Sequence, residues 1–181
     1  MSRARFRGEN HLKMDGKGRV SIPAEFRRVL EGNDPDWSSE TNPRMHVHYG
    51  SHLKGGLEVF TVDGQNELEA LVEAMPLGSV QRKVATDCYM TKTLEVRLDD
   101  TGRAVLPQML RDKMALGDGM QILARGMGAS FEMWNPNVYN DIHGDDVADF
   151  LASQAPDFDP KSLLNPSKVQ LDDHRQRDPR D

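Results

Sequence analysis

The sequence predicts an α+β fold built from two copies of one strand–turn–strand–helix unit, and three observations carry that prediction. "MDGKGRVSIPAEFRRVL" at 14–30 realigns with "LDDTGRAVLPQMLRDKM" at 98–114, so that Asp15, Gly18, Arg19, Pro23 and Arg27 recur as Asp99, Gly102, Arg103, Pro107 and Arg111. Apolar positions recur as well: Ile22 with Leu106, Phe26 with Leu110, Leu30 with Met114. Finally, "GLEVFT" at 56–61 is echoed by "SFEMWN" at 130–135, with the offset reduced from 84 to 74 residues because the first copy holds ten more. Self-similarity at a fixed spacing marks a repeated structural unit.

Taken in order, a strand ("NHLKM" in the first copy, "TLEVRL" in the second) enters an Asp-x-x-Gly turn, and a short strand leaves it ("RVSI"; "RAVL"). Gly18 and Gly102 stand where a tight turn needs a positive φ, which glycine adopts at little cost. Pro23 and Pro107 suit the first helical position, where no amide donor is needed. Phe26 and Leu30, like Leu110 and Met114, lie four apart and share a helical face. Gly117 is a candidate C-cap of the second helix. The strands "VHYG", "LEVFT", "MQILAR" and "SFEMWN" complete the two copies, and helices are expected at 63–75, 79–90 and 136–152. The ten extra residues fall in "EGNDPDWSSETNPRM", whose Pro, Ser, Asn and Asp content predicts a loop. The first unit therefore spans 5–62, connecting helices fill 63–92, and the second unit with its closing helix spans 93–152. The remainder, 153–181, has the composition of a disordered tail.

Composition excludes several classes. The chain has 181 residues, a formal charge of −6 and a mean hydropathy of −0.66. No apolar run reaches the roughly 18 residues of a membrane helix. "MSRARFRGEN" lacks the apolar segment of a signal peptide. The lone cysteine, Cys88, forms no internal disulfide and suits a reducing cytoplasm.

The net acidity hides a basic segment. Residues 1–30 hold eight lysines and arginines against three acids, whereas 31–152 hold ten against twenty. Phosphate binding needs only a local positive surface. In an extended N-terminus Arg3, Arg5 and Arg7 share one side and Phe6 the other. Lys13, Lys17 and Arg19 carry the positive character into the first turn. In the second turn Gly16 and Lys17 are replaced by Asp100 and Thr101. The first turn thus reads as a DNA reader. The second reads as scaffold or subunit contact, with Arg103 offering a phosphate contact. Asp15 and Asp99 are expected to cap their own turns or pair with an arginine.

These blocks, "FRGENHLKMDGKGRVSIPAEFR" at 6–27, "LDDTGRAVLPQMLR" at 98–111 and "SFEMWN" at 130–135, resemble the MraZ family of bacterial regulators, built from two SpoVT-AbrB-like units. The resemblance spans about residues 5–150. It implies a swapped-hairpin, double-split β-barrel with flanking helices and assembly into homo-oligomeric rings. It implies binding to double-stranded DNA at G-rich direct repeats in the promoter of the family's own division and cell-wall gene cluster, with repression as the outcome. A cytoplasmic, nucleoid-associated protein is implied, with no enzymatic activity, no small-molecule substrate, no membrane contact and no cofactor. The family's basic hairpin positions correspond to Lys17 and Arg19, with Arg7 and Lys13 on the preceding strand; Arg5 and Arg103 complete the candidate DNA-binding set. Three features depart from the family pattern: Arg3 and Arg5 before the usual start at Phe6, the long loop near 33–45, and the tail.

Rival chemistry finds little. "MHVHYG" places His46 and His48 on one face of a strand, but two ligands without a third define no zinc site. Cys88 has no activating partner in sequence, and no glycine-rich stretch leads into the Lys-Ser/Thr of a phosphate loop. Two alternatives stay open: another AbrB-type regulator or antitoxin, which typically has one unit per chain, and an assembly protein that does not bind DNA.

Overall fold

The computed structural model describes residues 4–117 and 119–164. Arg3 and the tail from 165 onward lie outside the described residues. The chain is α+β: residues up to Ile142 form one compact unit, and those from His143 a second.

In the first unit, β1 (Glu9–Lys13) and β2 (Arg19–Ser21) flank the first turn, and α1 (Ala24–Glu31) follows. Then come β3 (Arg44–His48), β4 (Leu57–Phe60), α2 (Val62–Glu73) and α3 (Val80–Thr86), the last running into a wider π-helical turn over Asp87–Thr91. The second copy repeats the order: β5 (Thr93–Arg97), β6 (Arg103–Val105), α4 (Gln108–Lys113), β7 (Gln121–Gly126) and β8 (Ser130–Trp134). Side-chain caps start the connecting helices, with Thr61 Oγ1 accepting from the Gly64 amide and Ser79 Oγ from the Arg82 amide.

The two copies interleave. Six strands form an antiparallel sheet in the order β1-β7-β8-β4-β3-β5, and β2 pairs with β6 in a separate ribbon. Each copy's first strand therefore pairs with the other copy's third: Leu12 faces Ile122 in β1/β7, and Val47 faces Leu94 in β3/β5. The order is unchanged when the copies are exchanged, so the unit has an internal pseudo-twofold. Among the described residues β1 and β5 form no ladder with each other, so the sheet does not close into a barrel. Beyond the first turn the Met14–Val20 bridge links ribbon to sheet edge.

The core lies between the sheet, the ribbon and the helices α1 and α4. Phe6, Phe26 and Phe131, from the N-terminal arm, α1 and β8, are fully buried with ring centroids 5.0–5.3 Å apart. Each such burial contributes about 1.5–3 kcal/mol. Val20 and Ala104, at the ribbon's centre, are also fully buried.

Three expectations shift in detail. Pro23 and Pro107 occupy the N-cap rather than the first helical position, because their extended ψ of 143° and 151° lies outside the helix. The C-cap of α4 is Met114, not Gly117, and the left-handed residue that follows it is Ala115 with φ +52°; the Leu116 amide donates to the Arg111 carbonyl, closing a Schellman-type end. The expected helix over 136–152 is two helices, α5 (Pro136–His143) and α6 (Asp146–Ala152), interrupted at Gly144 and Asp145. Within the second unit, Phe150 meets Phe158 edge-on at 6.1 Å, and a 3₁₀ turn spans Pro160–Leu164.

Candidate nucleic-acid interface

Each Asp-x-x-Gly-Arg turn is organised by its aspartate. Asp15 Oδ1 accepts from the Lys17 amide at 2.9 Å and the Arg19 amide at 3.0 Å, while Oδ2 accepts from Arg19 Nε at 2.6 Å. The Asp15 amide donates to the Arg19 carbonyl at 3.0 Å, and Gly18 closes the turn at φ +74°. These bonds, led by that of the Arg19 amide, hold the Asp15 carboxyl below its ordinary pKa, so it is ionised near neutrality. Asp15 thus both caps the turn and pairs with arginine. Asp99 repeats the pattern, accepting from the Thr101 hydroxyl at 2.7 Å, the Arg103 amide at 3.0 Å and Arg103 Nε at 2.9 Å.

The consequence concerns the arginines. Nε of Arg19 and of Arg103 is committed to a carboxylate, which fixes the guanidinium plane. The terminal nitrogens have no hydrogen bond among the described residues, and about a third of each side chain is exposed. Ribbon pairing then sets the two together: Arg19 lies opposite Val105, and Ser21 opposite Arg103. Alternation turns Val20 and Ala104 inward, leaving Arg19, Ser21, Arg103 and Val105 on one outer face. Arg19 and Arg103 are diagonal neighbours there, a relation that places residues about 7–8 Å apart. This proximity follows from pairing between copies, and the equal length of "RVSI" and "RAVL" is its one trace in the sequence.

The copies also lock each other. The Ile22 amide donates to the Gly102 carbonyl at 3.0 Å, and the Leu106 amide to the Gly18 carbonyl at 2.9 Å. Arg27 packs over Gly102 and Arg111 over Gly18. Nε of both arginines is buried without a hydrogen-bond partner among the described residues, where each side chain covers the other copy's turn glycine.

The remaining candidates divide. On β1 and the arm before it Arg5, Arg7, Glu9, His11 and Lys13 are exposed, alternating with Phe6 and the buried Leu12. Lys13 lies one residue before the Met14–Val20 bridge, and Lys17 is exposed at the turn's tip. Arg7 stands six residues from Lys13, about 20 Å along an extended chain, and Glu9, 3.6 Å from Arg125 Nε, interrupts the basic run. Arg5 lines a small pocket with Asn33, Thr61 and Glu67. The structure therefore gathers Lys13, Lys17, Arg19 and Arg103 around the ribbon and leaves Arg5 and Arg7 at the far end of β1.

Of the two histidines in "MHVHYG", His46 is half-buried and His48 is accounted for by packing. His48 is fully buried against Phe60, and its Nε2 lies 2.6 Å from Gln65 Oε1. Among the described residues no group of three or more His, Cys, Asp or Glu is placed to hold a metal ion. No helix among them is long and apolar enough to cross a membrane.

Comparison with known proteins gives one family. The model of the family described as "MraZ protein, putative antitoxin-like" matches residues 5–34 and 90–159, so the match takes in Arg5 and reaches past 153. The chain is 42% identical over 161 residues to the transcriptional regulator MraZ of Ruegeria pomeroyi, covering 89% of this chain and 95% of that protein. It is 39% identical over the same shares to the one from Ruegeria sp. TM1040. To that of Burkholderia cenocepacia it is 30% identical over 136 residues, covering 75% and 85%.

Proposed function

The chain belongs to the MraZ family, and from that premise we propose that it is a transcriptional regulator, not an enzyme, which binds double-stranded DNA through the outer face of the β2/β6 ribbon. The observation that carries this reading is the arginine pair, Arg19 and Arg103, each oriented by its own aspartate, with Lys17 and Lys13 alongside. A guanidinium held through Nε presents its two terminal nitrogens as a fork, which suits guanine O6 and N7. Such a bidentate contact is worth about 1–3 kcal/mol of discrimination. G-rich direct repeats upstream of the protein's own division and cell-wall genes are the proposed operator, with repression as the outcome and the cytoplasm, at the nucleoid, as the place. One ribbon per chain binds weakly, so a homo-oligomeric ring seating neighbouring subunits on successive repeats would supply avidity. The exchange of first strands between copies supports the swapped-hairpin reading of the fold, in an open sheet rather than a closed barrel. Units at 5–62 and 93–152 are proposed as the two sequence repeats. Arg5 and Arg7, far along β1, are proposed to touch flanking phosphates rather than bases.

The test is a footprint on the DNA immediately upstream of this protein's gene. Arg19→Ala is expected to lose at least tenfold in specific affinity while its oligomeric mass stays unchanged. Lys17→Ala should weaken binding to all sequences and lower the dependence of log K on log salt by about one. A normal Arg19→Ala footprint at moderate salt would rule the assignment out.

A further inference from the structure

The outer face of the ribbon is only half symmetric. The repeat makes Arg103 the counterpart of Arg19 and Val105 the counterpart of Ser21. Two of the four outward positions therefore hold the same residue, and at the other two a serine answers a valine. Both of these side chains are open, and Val105 is 53% exposed. A lone exposed apolar residue needs no explanation on most surfaces. This one stands on the face that carries both arginines.

The register decides what Val105 stands beside. The bonds from the Ile22 amide to the Gly102 carbonyl and from the Leu106 amide to the Gly18 carbonyl mark the hydrogen-bonded pairs, which alternate through Val20 and Ala104. Arg19 with Val105 and Ser21 with Arg103 are therefore the non-hydrogen-bonded pairs. In such pairs the Cα atoms approach to about 4.5 Å and the side chains come closest. That is little more than the spacing of about 3.4 Å between successive bases of one strand. Whatever base pair Arg19 addresses, Val105 meets the same pair or its immediate neighbour. Chemistry then limits what it can take. Its methyl groups neither donate nor accept, and the apolar feature that a base edge shows in the major groove is the thymine C5 methyl. The Ser21 hydroxyl beside Arg103 can donate or accept, so it tolerates any base.

We propose that Val105 is a thymine reader: its methyl groups pack on the C5 methyl of a thymine next to the guanine held by Arg19. This end of the ribbon then reads a two-base step, whereas the end with Ser21 and Arg103 reads guanine alone. The inference rests on the ribbon being the DNA reader and names what that reader selects. Valine suits the task because its branched side chain is stiff at χ1, so little freedom is lost on contact. A base without the methyl leaves the valine facing a gap, and the loss is that of one buried methyl group, roughly fourfold in affinity.

Uracil isolates the methyl group, since deoxyuridine pairs as thymidine does and lacks that group alone. Each thymine of the site footprinted by the full chain is replaced singly by deoxyuridine, and affinities are measured for the native protein, Val105→Ala and Arg19→Ala. The native protein is expected to lose roughly fourfold at one thymine in each repeat, adjacent to a guanine whose replacement by 7-deazaguanine also weakens binding. Val105→Ala should bind the thymine and uracil sites equally at that position, with the deazaguanine effect and the oligomeric mass unchanged. If no thymine is sensitive to the exchange, or if Val105→Ala keeps the native sensitivity, the thymine reader is overturned, while loss of the footprint in Arg19→Ala still supports the ribbon. A changed oligomeric mass in Val105→Ala makes the valine a subunit contact and overturns it as well. A native footprint from Arg19→Ala overturns the ribbon as reader, and the thymine reader with it.

Discussion

At the scale of single residues, the repeated motif separates into atoms that shape the turn and atoms left over to bind. Asp15 and Asp99 spend their oxygens on the turn and on one nitrogen of the neighbouring arginine. The glycines are demanded twice, by φ +74° at both and by what lies above them. A Cβ on Gly18 would meet the Leu106 carbonyl at 3.1 Å and the Arg111 side chain at 3.3 Å. On Gly102 it would meet Arg27, with Cδ at 2.6 Å. Gly18→Ala should therefore cost about 1–2 kcal/mol, mainly from the left-handed backbone. Gly102→Ala should cost about 1–3 kcal/mol more, because Arg27 must be displaced from a packed position. Urea titrations of both variants check the order, and an equal loss would mean that Arg27 moves aside freely. The positive φ was legible from sequence, since Asp-x-x-Gly ahead of a strand asks for a tight turn. The tenancy of Arg27 over the other copy's glycine was not, because it depends on a contact between residues 75 positions apart.

Among elements, the strands and helices were legible and their partners were not. Period-two alternation and the Pro-started helices give each element locally, but nothing in "RVSI" says that its neighbour is "RAVL". The candidate site followed the same division: Lys17 and Arg19 stand out by charge, whereas Arg103 joins them only through that pairing. A second element-scale feature is how α2 seats on the sheet. Gln65 Nε2 donates to Glu69 and to the Tyr89 carbonyl, which leaves Oε1 to accept from His48 Nε2. His48 is thus neutral, with its proton on Nε2, and Nδ1 is buried without a partner among the described residues. Burial holds its pKa below the ordinary 6.5, despite the Gln65 bond and Glu69 acting in the opposite direction; His46 and His52 add to the lowering. Since the folded value lies below the unfolded one, stability is fully present above about pH 6.5 and declines as pH falls towards the folded pKa. His46, also lowered by burial, adds to that slope. The melting temperature should fall between pH 7.5 and 5.5, and His48→Gln should flatten the fall while lowering the value at pH 7.5. An unchanged slope in His48→Gln would move the acid sensitivity elsewhere.

For the interleaved unit as a whole, repeat and folding unit are different things. All but two of the sheet's ladders join one copy to the other or run through strands that depend on such a pairing: β1 with β7, β4 with β8, β3 with β5, and β2 with β6 in the ribbon. A single copy on its own has a first strand with no third strand to join, a three-residue β2 with no ladder partner, and a Gly102 or Gly18 carbonyl with no amide to satisfy it. Exposed strand edges of that kind seek another chain. The pseudo-twofold supplies one, because the place of the missing copy can be taken by a second molecule of the same copy. Cutting the chain at Leu77, which is 86% exposed between α2 and α3, and producing the two halves separately is therefore expected to give no folded monomer from either. Each half should be unfolded or dimeric when alone, and mixing them should recover one folded heterodimeric unit, with circular dichroism reporting structure and light scattering reporting mass. A half that folds as a monomer would show that strand exchange is dispensable, and that the paired arginines are brought together by a contact between two self-sufficient domains.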